Sequence, residues 1–266
     1  MVKFMFNELT WAEVNDFARE GKVVLLPVGA IEQHGPHLPL DTDNVGAEAI
    51  CRRAAQREPS LLVCMPTVHY GFNEQGLDFP GTISITENNF VGYIFDLCAS
   101  LTRMGFRKIV IVNGHGGNAC FLEAAARLVT ARTPALAAMV GLFGLGQRAV
   151  EEAHIDMEGG HAGDLETSIY LACAPNLVKM ELRIRETPGA RGRWFWGGLA
   201  GHGAVRMMNH ASRLTESGVA GNPTDASAEK GEAFLAAAVD DLIDLAREFQ
   251  ALPIKPRISH LLGAEG

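Results

Sequence analysis

Glu32 and His34 stand two residues apart in PVGAIEQHGPHLPLDTD, residues 27–43, and Asp43 closes the stretch. In an extended segment, side chains two apart point to the same side, so Glu32 and His34 can face one partner. Pro36 and Pro39 stiffen the intervening loop, which is long enough to bring Asp43 back towards them. His115 sits in NGHGGN (113–118), a glycine-rich turn where the backbone can make a close approach. A fifth candidate, Glu166, lies in GGHAGDLETS (159–168), near the start of a helical pattern. Carboxylates with imidazoles, and no nearby Cys, suit zinc, manganese or iron in a catalytic rather than a structural site.

Counting charge says how many ions fit. Glu32, Asp43 and Glu166 carry three negative charges, and His34 and His115 are neutral when they act as ligands. Carboxylates this crowded raise one another's pKa values and destabilise an empty site. One divalent ion leaves a net negative charge, whereas two leave a single positive charge that a shared hydroxide neutralises. Two ions balance best, with Asp43 the bridging carboxylate. Such pairs lie about 3.5–4 Å apart and bring the pKa of bound water towards roughly 7, supplying a nucleophile without Ser or Cys.

Plainer readings compete. DTDNVG (41–46) opens like a calcium loop with Gly46 sixth, but the fifth and twelfth positions are Val45 and Arg52, which is wrong for calcium. NGHGGN could cradle a phosphate, yet it matches neither the dinucleotide fingerprint nor a P-loop. Taken singly, His115 reads as a turn residue and His34 is ambiguous. Only the joint pattern makes both of them ligands.

These residues need a scaffold. Strand-like apolar runs over 22–29, 61–68, 107–114 and 135–144 alternate with helical spacing over 44–58, 88–106, 118–132, 164–175 and 226–250. The alternation predicts an α/β fold in one domain, residues 1–266, with a largely parallel sheet and helices on both faces. Ligands in such sheets collect beyond the carboxyl ends of the strands. The 27–43 stretch follows the first strand there, and NGHGGN the third.

The net charge of −8 argues against a nucleic-acid partner or a polybasic membrane surface. No basic start leads into an apolar run, and no stretch approaches the roughly 18 apolar residues of a spanning helix. Cys51, Cys64, Cys98, Cys120 and Cys173 are odd in number and form no CxxC pair. Reduced thiols in a cytoplasmic protein are the expectation.

LLPVGAIEQHGPHLPLDTD, FPGTIS, VNGHGGN and HAGDLETS, in this order, with SGVAGNPTDASAEKG (217–231) after them, resemble the creatininase (creatinine amidohydrolase) family. The similarity runs from about Leu9 to the last long helix. It implies a three-layer α/β/α domain, two divalent metal ions (Zn, Mn or Fe), and hydrolysis of an amide-type C–N bond, often in a ring. Homo-oligomers, commonly hexamers, are the rule in the family. By position the resemblance makes Glu32, His34, Asp43 and His115 metal ligands, with Asp43 the bridge. In creatininase itself a Glu follows the histidine of the third motif by two positions, where this chain has Gly117. Members with HGGN resemble this chain, and there the Glu of the ETS triplet, Glu166 here, is the substitute. Asp164 stands where relatives often have Glu. Gly116 replaces a bulky Tyr, and Trp194 and Trp196 do not align with the tryptophans over the creatininase site. Creatinine is therefore a possible but not favoured substrate. Other members act on formamido-pyrimidines or on the end of a modified peptide.

The implied chemistry is attack on the carbonyl of a small-molecule amide by metal-bridging hydroxide, one metal polarising the carbonyl oxygen. His161 matches a family histidine near the metals. It either delivers the proton to the leaving nitrogen or orients a ligand carboxylate. His37, after Pro36, shapes the loop, while Gly81 and Thr82 form a turn near the pocket. Trp194 and Trp196 belong to a cover or to an oligomer contact. Two rival classes are a metallo-phosphodiesterase and a non-catalytic assembly protein. The first lacks Arg or Lys near the motifs apart from Arg191 and Arg193; against the second stands the full set of five ligand candidates.

Overall fold

The computed structural model describes residues 2–188, 205 and 207–260. Strands β1 (Val23–Val28), β2 (Leu62–Cys64), β3 (Lys108–Asn113) and β4 (Leu136–Gly141) form one sheet, ordered β2-β1-β3-β4 with every neighbour parallel. The helices are α1 (Trp11–Arg19), α2 (Thr42–Arg57), α3 (Glu87–Arg103), α4 (Ala119–Arg132), α5 (Gln147–Glu152), α6 (Asp164–Cys173) and α7 (Ala228–Ala251).

β1 and β3 are buried along their whole length, so alternate side chains feed two separate cores. Val23, Leu25, Val110 and Val112 pack with Ile50, Leu165, Phe234 and Leu242 of α2, α6 and α7. Val24, Leu26, Ile109 and Ile111 face the other way, against Phe90, Ile94 and Leu122 of α3 and α4. Helices therefore cover both faces of the parallel sheet, as the alternation requires.

The chain runs from β1 outward to β2, then crosses back to place β3 on the other side of β1. The connections after β1 and β3 leave neighbouring strand ends in opposite directions, and a crevice opens between them. Both residue-rich stretches begin there.

Three details depart from the sequence expectation. β2 ends at Cys64 rather than reaching 68: Pro66 has no N–H to give a ladder, and only Val68 returns, bridging Val28. α1 was not anticipated, although TWAE carries its start signal. Thr10 and Glu13 form a reciprocal capping box, Glu13 accepting from the Thr10 N–H at 2.7 Å. α5 spans six residues, too few for periodicity to announce. No helix among the described residues is long and apolar enough to cross a membrane. The cysteines are all unpaired.

α6 is held on α7 by Asp164, which is 1% exposed in its side chain. Its carboxylate accepts from Lys230 Nζ of α7 at 2.6 Å, from Ser168 Oγ at 3.0 Å and from the Asp156 N–H at 3.0 Å. Losing the lysine leaves a buried charge short of its cation. Lys230→Met should therefore lower unfolding free energy by roughly 3 kcal/mol, read from urea denaturation, with Lys230→Arg losing less.

Candidate metal centre

Glu32 and His34 leave β1 in a loop that folds back at once. The Glu32 N–H donates to the Leu40 carbonyl at 2.9 Å, and His34 bridges Leu38. The return delivers Asp43 to the first turn of α2, between the ends of β1 and β3. Gly114 makes room for it: a Cβ there would lie 2.2 Å from the Asp43 carbonyl oxygen. Asn44 Nδ2 donates to the Ala30 carbonyl at 2.8 Å and fixes the start of α2 against the loop. Glu166 stands in the first turn of α6. Both Asp43 and Glu166 thus sit at the positive end of a helix dipole, which favours the charged carboxylate.

All five candidates are buried and converge. Asp43 faces two ways. Its Oδ2 lies 3.0 Å from His115 Nδ1, which is 2.8 Å from Glu32 Oε2. Its Oδ1 lies 3.2 Å from His34 Nε2, which is 3.6 Å from Glu166 Oε2. The result is two triads that share Asp43: Glu32, Asp43 and His115, and His34, Asp43 and Glu166. Despite these separations, Glu32 Oε2, His34 Nε2 and Asp43 Oδ2 are buried without a hydrogen-bond partner.

Each imidazole turns its other nitrogen to a main-chain carbonyl: His34 Nδ1 to Glu32 O and His115 Nε2 to Phe72 O, both at 3.2 Å. A proton on that outer nitrogen leaves the inner lone pair for the triad. The surrounding charges act on both rings. Burial alone would lower the pKa of His115, but Glu32 and Asp43 override it and raise the ring to about 10. His34 is likewise driven up, against burial, by Asp43 and Glu166. Asp43 is held down, also against burial, by the two histidines. The carboxylates thus favour positive charge beside them.

His161 stacks against His34 with ring centroids 4.3 Å apart, and one of its ring nitrogens lies near Glu32 and His34. Its Nε2 is 3.0 Å from the Gln33 carbonyl. Burial and the charge of His34 lower its pKa. Ala162, next to it, adopts φ 55, uncommon for a residue with a Cβ. That turn aims the Ala162 N–H at Glu166 Oε2, 2.5 Å away. His37 joins neither triad. It is buried with Nε2 3.0 Å from Thr167 Oγ1, and its carbonyl accepts from Lys179, so it braces the loop. Gly81 turns at φ 92, and Thr82 Oγ1 accepts from the Gln33 N–H at 3.1 Å.

Gln33 has no motif of its own and was missed in the sequence. Its Nε2 donates to the Gly218 carbonyl at 3.0 Å, tying the site to residues 215–221. That segment is stapled by Glu186, whose carboxylate accepts from the Ser217 hydroxyl and N–H, Thr215 Oγ1 and the Glu216 N–H. Ala220 then pairs with His161 through two backbone hydrogen bonds. Arg191, Arg193, Trp194 and Trp196 lie outside the described residues.

The model of the family described as "Creatinine amidohydrolase" matches residues 7–246. A creatinine amidohydrolase from Pseudomonas putida is 31% identical over 93% of this chain and 98% of its own. A mycofactocin precursor peptide peptidase from Mycobacterium tuberculosis (strain CDC 1551 / Oshkosh) is 32% identical over 89% of each. Among solved structures, a manganese form of creatininase superposes with a TM-score of 0.79 at 27% identity, covering 94% of this chain and 100% of its own.

The Glu186 staple gives a pH dependence. Burial alone would raise the carboxyl pKa, but the donors of Ser217, Thr215 and Glu216 lower it from 4.5 to about 2. Because the folded value is depressed, its stabilisation is present above pH 4.5 and is lost as pH falls towards 2. Glu186→Gln should be less stable than wild type at neutral pH, and the gap should close through that window in urea midpoints measured against pH.

Proposed function

The chain belongs to the creatininase family, and from that premise we propose that it is a dinuclear metal-dependent amidohydrolase of small-molecule amides. Glu32, Asp43 Oδ2 and His115 Nδ1 would hold one divalent ion; His34 Nε2, Asp43 Oδ1 and Glu166 would hold the other. One observation carries the reading. The two oxygens of a single buried carboxylate face two separate triads, in which Glu32 Oε2, His34 Nε2 and Asp43 Oδ2 lie close to their neighbours yet form no hydrogen bond. Carboxylate oxygen with imidazole nitrogen suits zinc, manganese or iron. Bound there, such ions polarise a carbonyl oxygen and acidify water enough for attack at neutral pH.

The chain's own groups supply the rest. His161, buried beside His34 and Glu32, accepts the proton released as water attacks the carbonyl carbon. It then returns that proton to the leaving nitrogen as the C–N bond breaks. Gln33, through its carbonyl and through Gly218, fixes the ring for that exchange. Gly116 is exposed and bears no side chain, so residue 116 places no bulk beside His115. That favours lactams or formamides other than creatinine. The peptide peptidase relative favours a second reading, release of a residue from the end of a peptide. Assembly into a homo-oligomer, a hexamer by family resemblance, and a cytoplasmic location complete the proposal.

Elemental analysis of the purified protein should find two divalent ions per chain. Chelation should abolish turnover across a panel of lactams, formamides and short peptides, with a phosphodiester control inert throughout. Replacing a ligand should cost more than the roughly hundredfold typical of outer partners, so Glu32→Gln should lose metal and activity together. His161→Ala should keep its metal while kcat falls. Turnover that survives exhaustive chelation, or a Glu32→Gln protein with full metal and full rate, would overturn the proposal.

A further inference from the structure

Gln75 touches the site from a loop the reaction has not used. It lies in a 3-10 turn, Glu74–Gly76, and its Nε2 is 3.2 Å from His115 Nε2. Its Oε1 is buried with no partner. Asn118 ties the loop to the end of β1: its Oδ1 accepts from the Phe72 N–H at 2.9 Å, and its Nδ2 donates to the Gly29 carbonyl at 2.9 Å. Gly117 is what lets Gln75 in. A Cβ at 117 would lie 2.4 Å from Gln75 Nε2, 2.5 Å from His115 Nε2 and 3.0 Å from the Phe72 carbonyl. Any larger residue would displace the amide, the ring or both.

We infer that Gln75 is a positioning residue for His115, occupying space that Gly117 leaves clear; this rests on the two-metal reading above. An ion on the Nδ1 lone pair puts the ring proton on Nε2, facing Phe72 O and the Gln75 amide. Two N–H groups cannot bond each other. Because amide oxygen and nitrogen are nearly isosteric, a half-turn of the amide presents Oε1 to Nε2–H at no steric cost. His115 then has a backbone and a side-chain acceptor behind it. Together they hold the tautomer and the ring plane, and make Nδ1 a better donor to the ion.

Metal affinity, measured by competition with a chromophoric chelator, separates this role from mere packing. Gln75→Leu should weaken one of the two ions about 10- to 100-fold and leave the other as in wild type. Its metal-free melting temperature should stay near that of the wild type. Gln75→Glu, with an acceptor of the same reach, should restore the affinity. Gly117→Ala should reproduce the loss by steric means. Unchanged affinity of both ions in Gln75→Leu, or a Gln75→Glu no better than Gln75→Leu, overturns the inference and leaves the two-metal reading standing. A wild-type protein that takes up no ion overturns both.

Discussion

Negative charge held away from water is the constraint around which this molecule is built. Glu32, Asp43 and Glu166 are buried side by side at the carboxyl end of the sheet, where a lone carboxylate would be costly. The fold offsets part of that cost through the helix starts beneath Asp43 and Glu166 and the N–H of Ala162. The remainder favours positive charge nearby, and the same carboxylates raise the pKa values of the His34 and His115 rings. On the proposed reading, metal uptake and proton release would be one coupled equilibrium at this site.

Much of this was legible in the sequence because the first three residues share one short stretch. Spacing of two after a buried strand, and a proline-stiffened return, forecast that Glu32, His34 and Asp43 would meet. Strand alternation put His115 beyond the carboxyl end of the third strand, on the same side of the sheet as residues 27–43, and the pairing of β3 with β1 makes those ends neighbours. Glu166 was harder: it comes from an α6 that reaches the site only by docking on α7 through Asp164 and Lys230. The resemblance pointed to Glu166, and the geometry sets it 3.6 Å from His34.

Other parts had no local signal. Which oxygen of Asp43 faces which triad depends on how α2 nests against Gly114, a packing fact rather than a motif. Gln33 is an uncharged amide between two ligand candidates, and Gln75 one in a separate loop, so residue type pointed to neither. The Glu186 staple joins positions about thirty apart through hydroxyl and backbone donors, which no periodicity encodes. The short β2 turned on the missing N–H of Pro66. In each case tertiary contact, not local propensity, decided the outcome.

The sharing of Asp43 also orders events in the life of the chain. An early fragment ending after α2 would carry Glu32, His34 and Asp43, yet neither triad would be whole. One waits for β3 to set down His115, and the other waits for α6. On the proposed two-metal reading, cation capture would be a late event that follows a finished sheet, and by mass action it would then stabilise that sheet. A misassembled copy would lack the clasp and would be the first surrendered to proteolysis.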